Sequence, residues 1–468
     1  MRAKYELFFW IGLVCTKIQT KIIVFRPLGI FCSVNFVLYC LLSRYLTGGF
    51  YMEKNTSVTL SNKEPNIFKN RVFRAIIFSG LFLQIGIWVR NFAVLLFVME
   101  KTNGDAFAIS MISVAEFAPI FIFSFIGGTF ADRWSPKKTM VWCDILSAIS
   151  VFAVLISLIF GSWKMVFFAT LISAILSQFS QPSGMKLFKM HLPESQIQTG
   201  MSVYQTVFAV FMVLGPILGT FAFQSFGINI SIAITGLAFL LSAGALAFLP
   251  KDRKLNEETA KTTLWQEMKS GVSYVLRKKE LSLLGLCFLA AGLGLGFIQP
   301  LSIFLVTEQL ELPKENLQWL FMVNGFGMIL GGAGVMIFAK KVAPQRLLAF
   351  GMLVNAIGLA VMGLSTNLWI TLTAEFFNGL MLPCIQIGIN TLILQRTEGE
   401  FIGRVNGILS PLFTGSMVLT MSAAGVLKEQ FSLVAIFETA AFFFIIGMFF
   451  ILPLYNQKAE TKPLEIQS

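Results

Sequence analysis

The chain has 468 residues, of which 56% are hydrophobic and only 13% charged, with a net charge of +12. Soluble proteins carry about 25% charged residues, so a water-soluble fold could not hide this much apolar surface and lipid is the expected solvent. The positive charge does not form the single basic stripe of a nucleic-acid binder; it sits between apolar runs, which is the pattern of membrane loops.

In chain order, residues 1–51 come first and fit no regular plan. They hold Cys15, Cys32 and Cys40 and six Lys and Arg against one acidic residue. Their apolar run near 28–43 is short, contains Asn35 and lacks a clear small-residue cleavage site. It reads as an extra helix, a signal-like segment or, the reading preferred here, sequence upstream of a native start at Met52. Residues 52–72 are an ordinary polar lead-in.

A spanning helix needs about 20 mostly apolar residues. Twelve runs qualify from residue 73 onward: 73–99, 107–131, 138–160, 164–186, 200–223, 228–249, 281–306, 316–338, 346–364, 368–394, 406–427 and 431–453. The charged break at 250–280 divides them six and six. Within it Leu264, Met268, Val272 and Val275 recur at helical spacing beside Lys269, Arg277, Lys278 and Lys279. That predicts an amphipathic helix, lying on the membrane surface or solvated as a linker. The fold class is therefore an all-α polytopic membrane protein with two six-helix halves, 73–249 and 281–453, and a tail at 454–468.

Lys and Arg in the loops set the threading. Counted from Met52, one side of the bundle carries 25, and the other only Lys101, Lys164, Lys314 and Lys428. This places both ends of the twelve-helix unit in the cytoplasm. The remaining cysteines, Cys143, Cys287 and Cys384, read as small buried apolar residues. His191, the single histidine, sits in a polar loop, and no metal or cofactor site is expected.

The most specific stretch is Gly127-Gly128-Thr129-Phe130-Ala131-Asp132-Arg133-Trp134-Ser135-Pro136-Lys137-Lys138, between the second and third runs. It resembles the loop pattern of the major facilitator superfamily, G-x-[LF]-A-D-R-x-G-R-[RK], with Ser135 where Gly is usual and Pro136 where a base is usual. In that family the loop clips the two halves together, which implies gating roles for Asp132 and Arg133. Gln181-Pro182-Ser183 with His191-Leu192-Pro193-Glu194, and Gly403-Arg404-Val405, resemble the macrolide-efflux and enterobactin-exporter group. Gly215-Pro216-Ile217-Leu218-Gly219 is a partial match to the antiporter motif, with Phe211 where another Gly is usual; a packed kink is the plain alternative. Gly331-Gly332 through Lys340-Lys341 and Arg346 repeats the first loop in degenerate form, with no acid where Asp132 would recur, as expected of two related halves.

Ionisable groups inside lipid cost roughly 2.5–3.5 kcal/mol on insertion scales, so each is a functional candidate. Arg90, Glu116, Asp144, Glu375 and Glu438 qualify. Helical rise places Arg90 and Glu116 at matching depth, which predicts an ion pair between the first two runs, either structural or released when Glu116 is protonated. Asp144 lies nearer a run end and is expected to pair with a loop base; Glu438 is not expected to carry coupling. In the tenth run Thr371, Glu375, Asn378, Gln386 and Asn390 share a polar stripe. The resemblance implies that the first, fourth, seventh and tenth runs line a cavity. That adds Gln84, Trp88, Asn91, Gln178, Gln181 and Gln299 to the substrate candidates, with Glu375 for a cationic group or a proton. The small-residue series Gly292, Gly294, Gly296 and Gly325, Gly327, Gly331, Gly332 predicts close helix packing.

The function these features imply is export of a small amphipathic, drug-like or siderophore-like compound across the cell membrane, by proton antiport with alternating access, in a monomer. The alternatives are a lysophospholipid flippase of the same fold and a non-transporting sensor. No nucleophile–base set, metal cluster or phosphate-cradling loop argues for an enzyme or an ATP-driven pump.

Overall fold

The computed structural model describes residues 67, 70–249, 264–338 and 342–456. The extension 1–51, most of the lead-in, the linker before Leu264, Lys340, Lys341 and the tail from 457 lie outside the described residues. So do the side chains of 124–133, including Asp132 and Arg133, and those of Pro182, His191 and Glu194.

The first helices are α1 (Arg71–Lys101), α2 (Ala106–Arg133), α3 (Pro136–Ile159) and α4 (Val166–His191). A continuous helical run, Glu194–Ala247, follows and is broken at Gly227, whose φ of 74° and ψ of −179° suit a residue without Cβ. Its arms are α5 (194–226) and α6 (228–247). A linker helix, Leu264–Arg277, leads to α7 (Lys279–Phe304), α8 (Leu317–Phe338), α9 (Pro344–Leu364), α10 (Leu368–Arg396), α11 (Ile402–Gln430) and α12 (Leu433–Ile451).

Contacts along α1 establish that Gly227 reverses the chain. On α5, Tyr204, Gly215 and Gly219 meet Gly80, Trp88 and Phe92 in ascending order. On α6 the order is opposite: Ser242 bonds Ser79 and Thr235 bonds the Gly86 carbonyl. The arms are thus antiparallel, and the bundle makes twelve crossings. Among the described residues eleven helices are long and apolar enough to span a membrane, the double arm counting as one of them, and the chain is a multi-pass membrane protein.

The halves repeat each other. α1 packs against α5 and α6 as α7 packs against α11 and α12; α2 meets α4 as α8 meets α10. α3 and α9 both open with a proline in the first turn, Pro136 and Pro344, where its missing N–H costs nothing. Asn70, Asn367 and Ser432 cap α1, α10 and α12 through side-chain oxygens.

Small residues set the close approaches. Gly215 receives the Trp88 ring, and a Cβ on Gly219 would lie 2.6 Å from Phe92 Cβ. The partial antiporter motif is therefore a packing seam between α1 and α5. Gly292 and Gly296 face the α11 backbone, Gly294 faces Phe444 of α12, Gly325 faces α5, and Gly327 and Gly331 face α10; Gly332 is open.

Between the halves, α2 packs on α11 and α5 on α8. The contacts gather toward the end of the bundle whose loops are poor in bases. There Gly425 would place a Cβ 2.6 Å from the Ala106 carbonyl. Glu100 of α1 pairs with Lys314 of the α7–α8 connection at 2.8 Å, and Phe92 meets Phe321 edge-on at 5.5 Å. Toward the base-rich end, Gly334 on α8 and Gly403 and Gly407 on α11 have nothing within 4 Å. Among the described residues the tightest approaches between the halves lie at the base-poor end.

The linker segment forms the expected helix, and one side of it packs on protein. Its inner face packs on α11, with Gly271 against Arg404 and Ile408. Tyr274 stacks on Phe401 with centroids 4.2 Å apart, and Lys278 bonds Glu398 at 3.0 Å. Burial alone would pull the Lys278 ammonium down, but hydrogen bonds from it to Tyr274 and Glu398 outweigh that and hold it above the usual lysine value. The apolar stripe read as membrane-facing is partly spent on protein.

Replacing Gly219 by Ala should separate α1 from α5 and cost about 1–3 kcal/mol by overpacking. The detergent-solubilised protein should unfold several degrees lower. Gly244→Ala, at a glycine with nothing within 4 Å, should leave the unfolding temperature unchanged or slightly raised.

Candidate functional site

The polar groups inside the spans fall into three clusters. The first joins α1 and α2. Arg90 is 3% exposed, and its Nε and Nη2 donate to Asn91 Oδ1 at 3.1 and 2.8 Å. Asn91 Nδ2 in turn donates to Glu116 Oε1 at 2.7 Å. The expected Arg90–Glu116 ion pair is therefore not a direct contact, because a carboxamide stands between the charges. Nη1 of Arg90 is left without a hydrogen-bond partner, while Glu116 is only half-buried.

The second cluster lies within the first half. Asp144 of α3 is buried and accepts from Ser242 Oγ of α6 at 2.6 Å, and Ser242 shares a 2.8 Å hydrogen bond with Ser79 of α1. This replaces the loop base expected as its partner. The nearby loop base, Lys137, instead donates to the Ala247 and Leu249 carbonyls that end α6, a favourable place for a cation. Asp144 thus ties three helices together.

The third cluster joins α8 and α10. Asn324 Nδ2 donates to Glu375 Oε1 at 2.8 Å. The helices meet backbone to backbone there: a Cβ on Gly379 would strike the Asn324 carbonyl, and one on Gly327 the Phe376 carbonyl at 2.5 Å. Asn378, one turn along, is buried; it donates weakly to Met362 Sδ at 3.4 Å, and its Oδ1 has no partner. Further along the same stripe, toward the base-rich end, Gln386 and Asn390 are exposed. Thr371 is spent on the Asn367 carbonyl.

The other amide candidates divide. Gln84 is buried, and Gln181 and Gln299 are exposed. Gln178 turns back on its own helix, donating to Ala174 O and Ser177 Oγ at 3.4 and 3.1 Å. Trp88 covers Gly215 and leans toward Phe92. Glu438 of α12 has a buried Oε1 without a partner. The structure thus brings Arg90, Asn91 and Glu116 into one network and Glu375 into another, and leaves Asp144 in the packing core of the first half.

Asn324 and Ser242 were missed from sequence. Each is one polar residue in an apolar run, the same signal that marked Glu375, but with no charge to draw notice. A groove between α9 and α10, lined by Val354, Ile357, Val361, Trp369, Ile370 and Phe377, is apolar. Phe377 sits about 200° around α10 from Glu375, so this is a crease on the outer surface of the bundle.

A carboxyl oxygen accepts from an amide N–H, so Asn324→Ala should cost about 1–3 kcal/mol of stability by stripping Glu375 of that donor. Glu375→Gln keeps a carbonyl acceptor and should cost less than about 1 kcal/mol. Denaturation of the purified protein in detergent would measure both.

The comparisons with known proteins agree with this architecture. The family model described as Major Facilitator Superfamily matches residues 76–313 and 284–467. The MFS-type transporter YkuC of Bacillus subtilis is 25% identical over 378 residues, covering 78% of this chain and 87% of that one. The multidrug efflux pump Tap of Mycolicibacterium fortuitum is 25% identical over 355 residues, covering 72% and 84%. Among solved structures, the nucleoside transporter NupG superposes with a TM-score of 0.66 at 13% identity over 83% of this chain and all of that one. A bacterial homologue of the lysosomal transporter Spinster, inward-facing and unoccupied, gives 0.61 at 12% identity over 82% and 95%. With two matching six-helix halves and a family model that covers nearly all of both, the chain belongs to the major facilitator superfamily.

Proposed function

We propose that this transporter exports a small amphipathic compound from the cytoplasm in exchange for protons. The observation that carries the reading is the third cluster: a carboxyl, Glu375, held by Asn324 inside a span whose stripe runs on to exposed Gln386 and Asn390. A carboxyl in that setting suits a cationic group or a proton, and the amides suit orientation of an otherwise apolar ligand. The kinship with the efflux pump Tap supports the outward direction.

In this reading the base-rich end faces the cytoplasm, both ends of the twelve-helix unit lie there, and the conformation is open inward. The protein acts as a monomer in the cell membrane. Closure at the base-poor end, by Glu100–Lys314 and the Gly425–Ala106 approach, then forms the outer gate. Asp132 and Arg133 would act at the opposite gate. An exposed ion pair contributes only about 0–1 kcal/mol, so such a gate can open within a transport cycle.

Everted vesicles from an overproducing strain should accumulate ethidium, used as a cationic probe, only while a proton gradient stands. Glu375→Gln should lower that uptake by roughly tenfold or more. Accumulation that persists after an uncoupler collapses the gradient would rule out proton exchange.

A further inference from the structure

The α1–α2 bridge has a chemical direction. A guanidinium only donates, so Arg90 holds Asn91 Oδ1 toward itself and leaves Nδ2 for Glu116. An amide N–H is accepted by an ionised carboxylate and, more weakly, by the carbonyl oxygen of a protonated carboxyl. The bridge therefore survives either state of Glu116, and a proton can leave or join without breaking the contact between α1 and α2.

Nη1 of Arg90 is different. It belongs to a side chain 3% exposed, and it has no partner. An orphaned buried donor costs roughly 1–3 kcal/mol, and more on a charged group. Its natural complement is an ionised carboxylate, which takes two parallel N–H bonds from a guanidinium. Glu116 is one amide away. Among the described residues Arg90 is the charged group that acts on Glu116; α4, α7 and α11, which also pack on α2, bring no other ionisable side chain against it.

We propose that Asn91 is a positioning residue: it holds Glu116 one amide away from Arg90 while the bundle is open at its base-rich end. In the opposite facing, a direct Arg90–Glu116 pair completes Nη1, and only ionised Glu116 can make it. This rests on the proton-exchange reading and supplies its switch. In the present facing Glu116 gives its proton to water. The carboxylate then favours the opposite facing by pairing with Nη1. Protonation from that side dissolves the pair, and the bundle returns. Without the amide spacer, ionised Glu116 would reach Arg90 in both facings, and its ionisation would favour neither.

Ala106 offers a reporter that needs no substrate. It is 3% exposed beneath Gly425, so a cysteine there meets a membrane-impermeant maleimide only when the base-poor end opens. With the native cysteines replaced by serine, each labelling rate is divided by that of Ser162→Cys, on the exposed base-poor connection between α3 and α4, at the same pH, which cancels the thiolate's own pH dependence. So normalised, Ala106→Cys should label at least about fivefold faster at about pH 8 than at about pH 6, a population shift of modest size. Adding Asn91→Ala should bring the two normalised rates within about twofold of each other. Asn91→Gln, which keeps the carboxamide, should restore most of the difference. Should Asn91→Ala not fold, Asn91→Leu, of similar volume with neither hydrogen bond, carries the same expectation. Labelling in the parent that ignores pH overturns the proton-exchange reading itself. A pH-dependent parent with an equally pH-dependent Asn91→Ala overturns the role of Asn91 alone.

Discussion

Hydrocarbon offers no hydrogen bonds, so every polar group that enters the bilayer must find its partner inside the protein. For the backbone this dictates helices. For side chains it dictates contacts between helices, because a lone carboxyl has few acceptable neighbours on its own turn. Glu116 takes its donor from Asn91, Asp144 from Ser242 and Glu375 from Asn324. Each bond crosses from one helix to another. The same interaction that satisfies the acid also sets where two helices touch, so chemistry and packing cannot be varied independently at these positions.

Two of the buried polar atoms that remain unmatched among the described residues are informative for the same reason. Arg90 Nη1 and Asn378 Oδ1 each lie beside a satisfied carboxyl cluster, one in each half. Natural structures leave few such atoms, and those they leave call for an explanation. A protein that must adopt two facings has one: a set of partners complete in one state is incomplete in the other.

Much of this was legible in the residues. Apolar length located twelve crossings, and the loop motif around Asp132 pointed to the superfamily that the family model then matched. Matching depth brought Arg90 and Glu116 together. What depth could not supply was the side-chain path between them, because Asn91 is adjacent in sequence and its rotamer decides whether it separates the charges or stands aside. Asp144 was misread for a related reason: helical rise measures distance from a run end, not which helix lies alongside. The linker helix was legible from its spacing, but its partner was not, because an apolar stripe is the same whether lipid or α11 covers it. The seam at Gly215 and Gly219 was legible as a packed kink, though what fills it, Trp88 and Phe92, is a tertiary fact.

Gly227 has a consequence of its own. With a single residue joining α5 to α6, the two arms have almost no slack and must travel as one lever. α5 bears on the second half through Met212 and Gly325, and α6 holds Asp144 through Ser242. A displacement begun at the seam between halves is therefore delivered to the outer layer of the first half without loss. That half should rock as a solid block, not flex helix by helix.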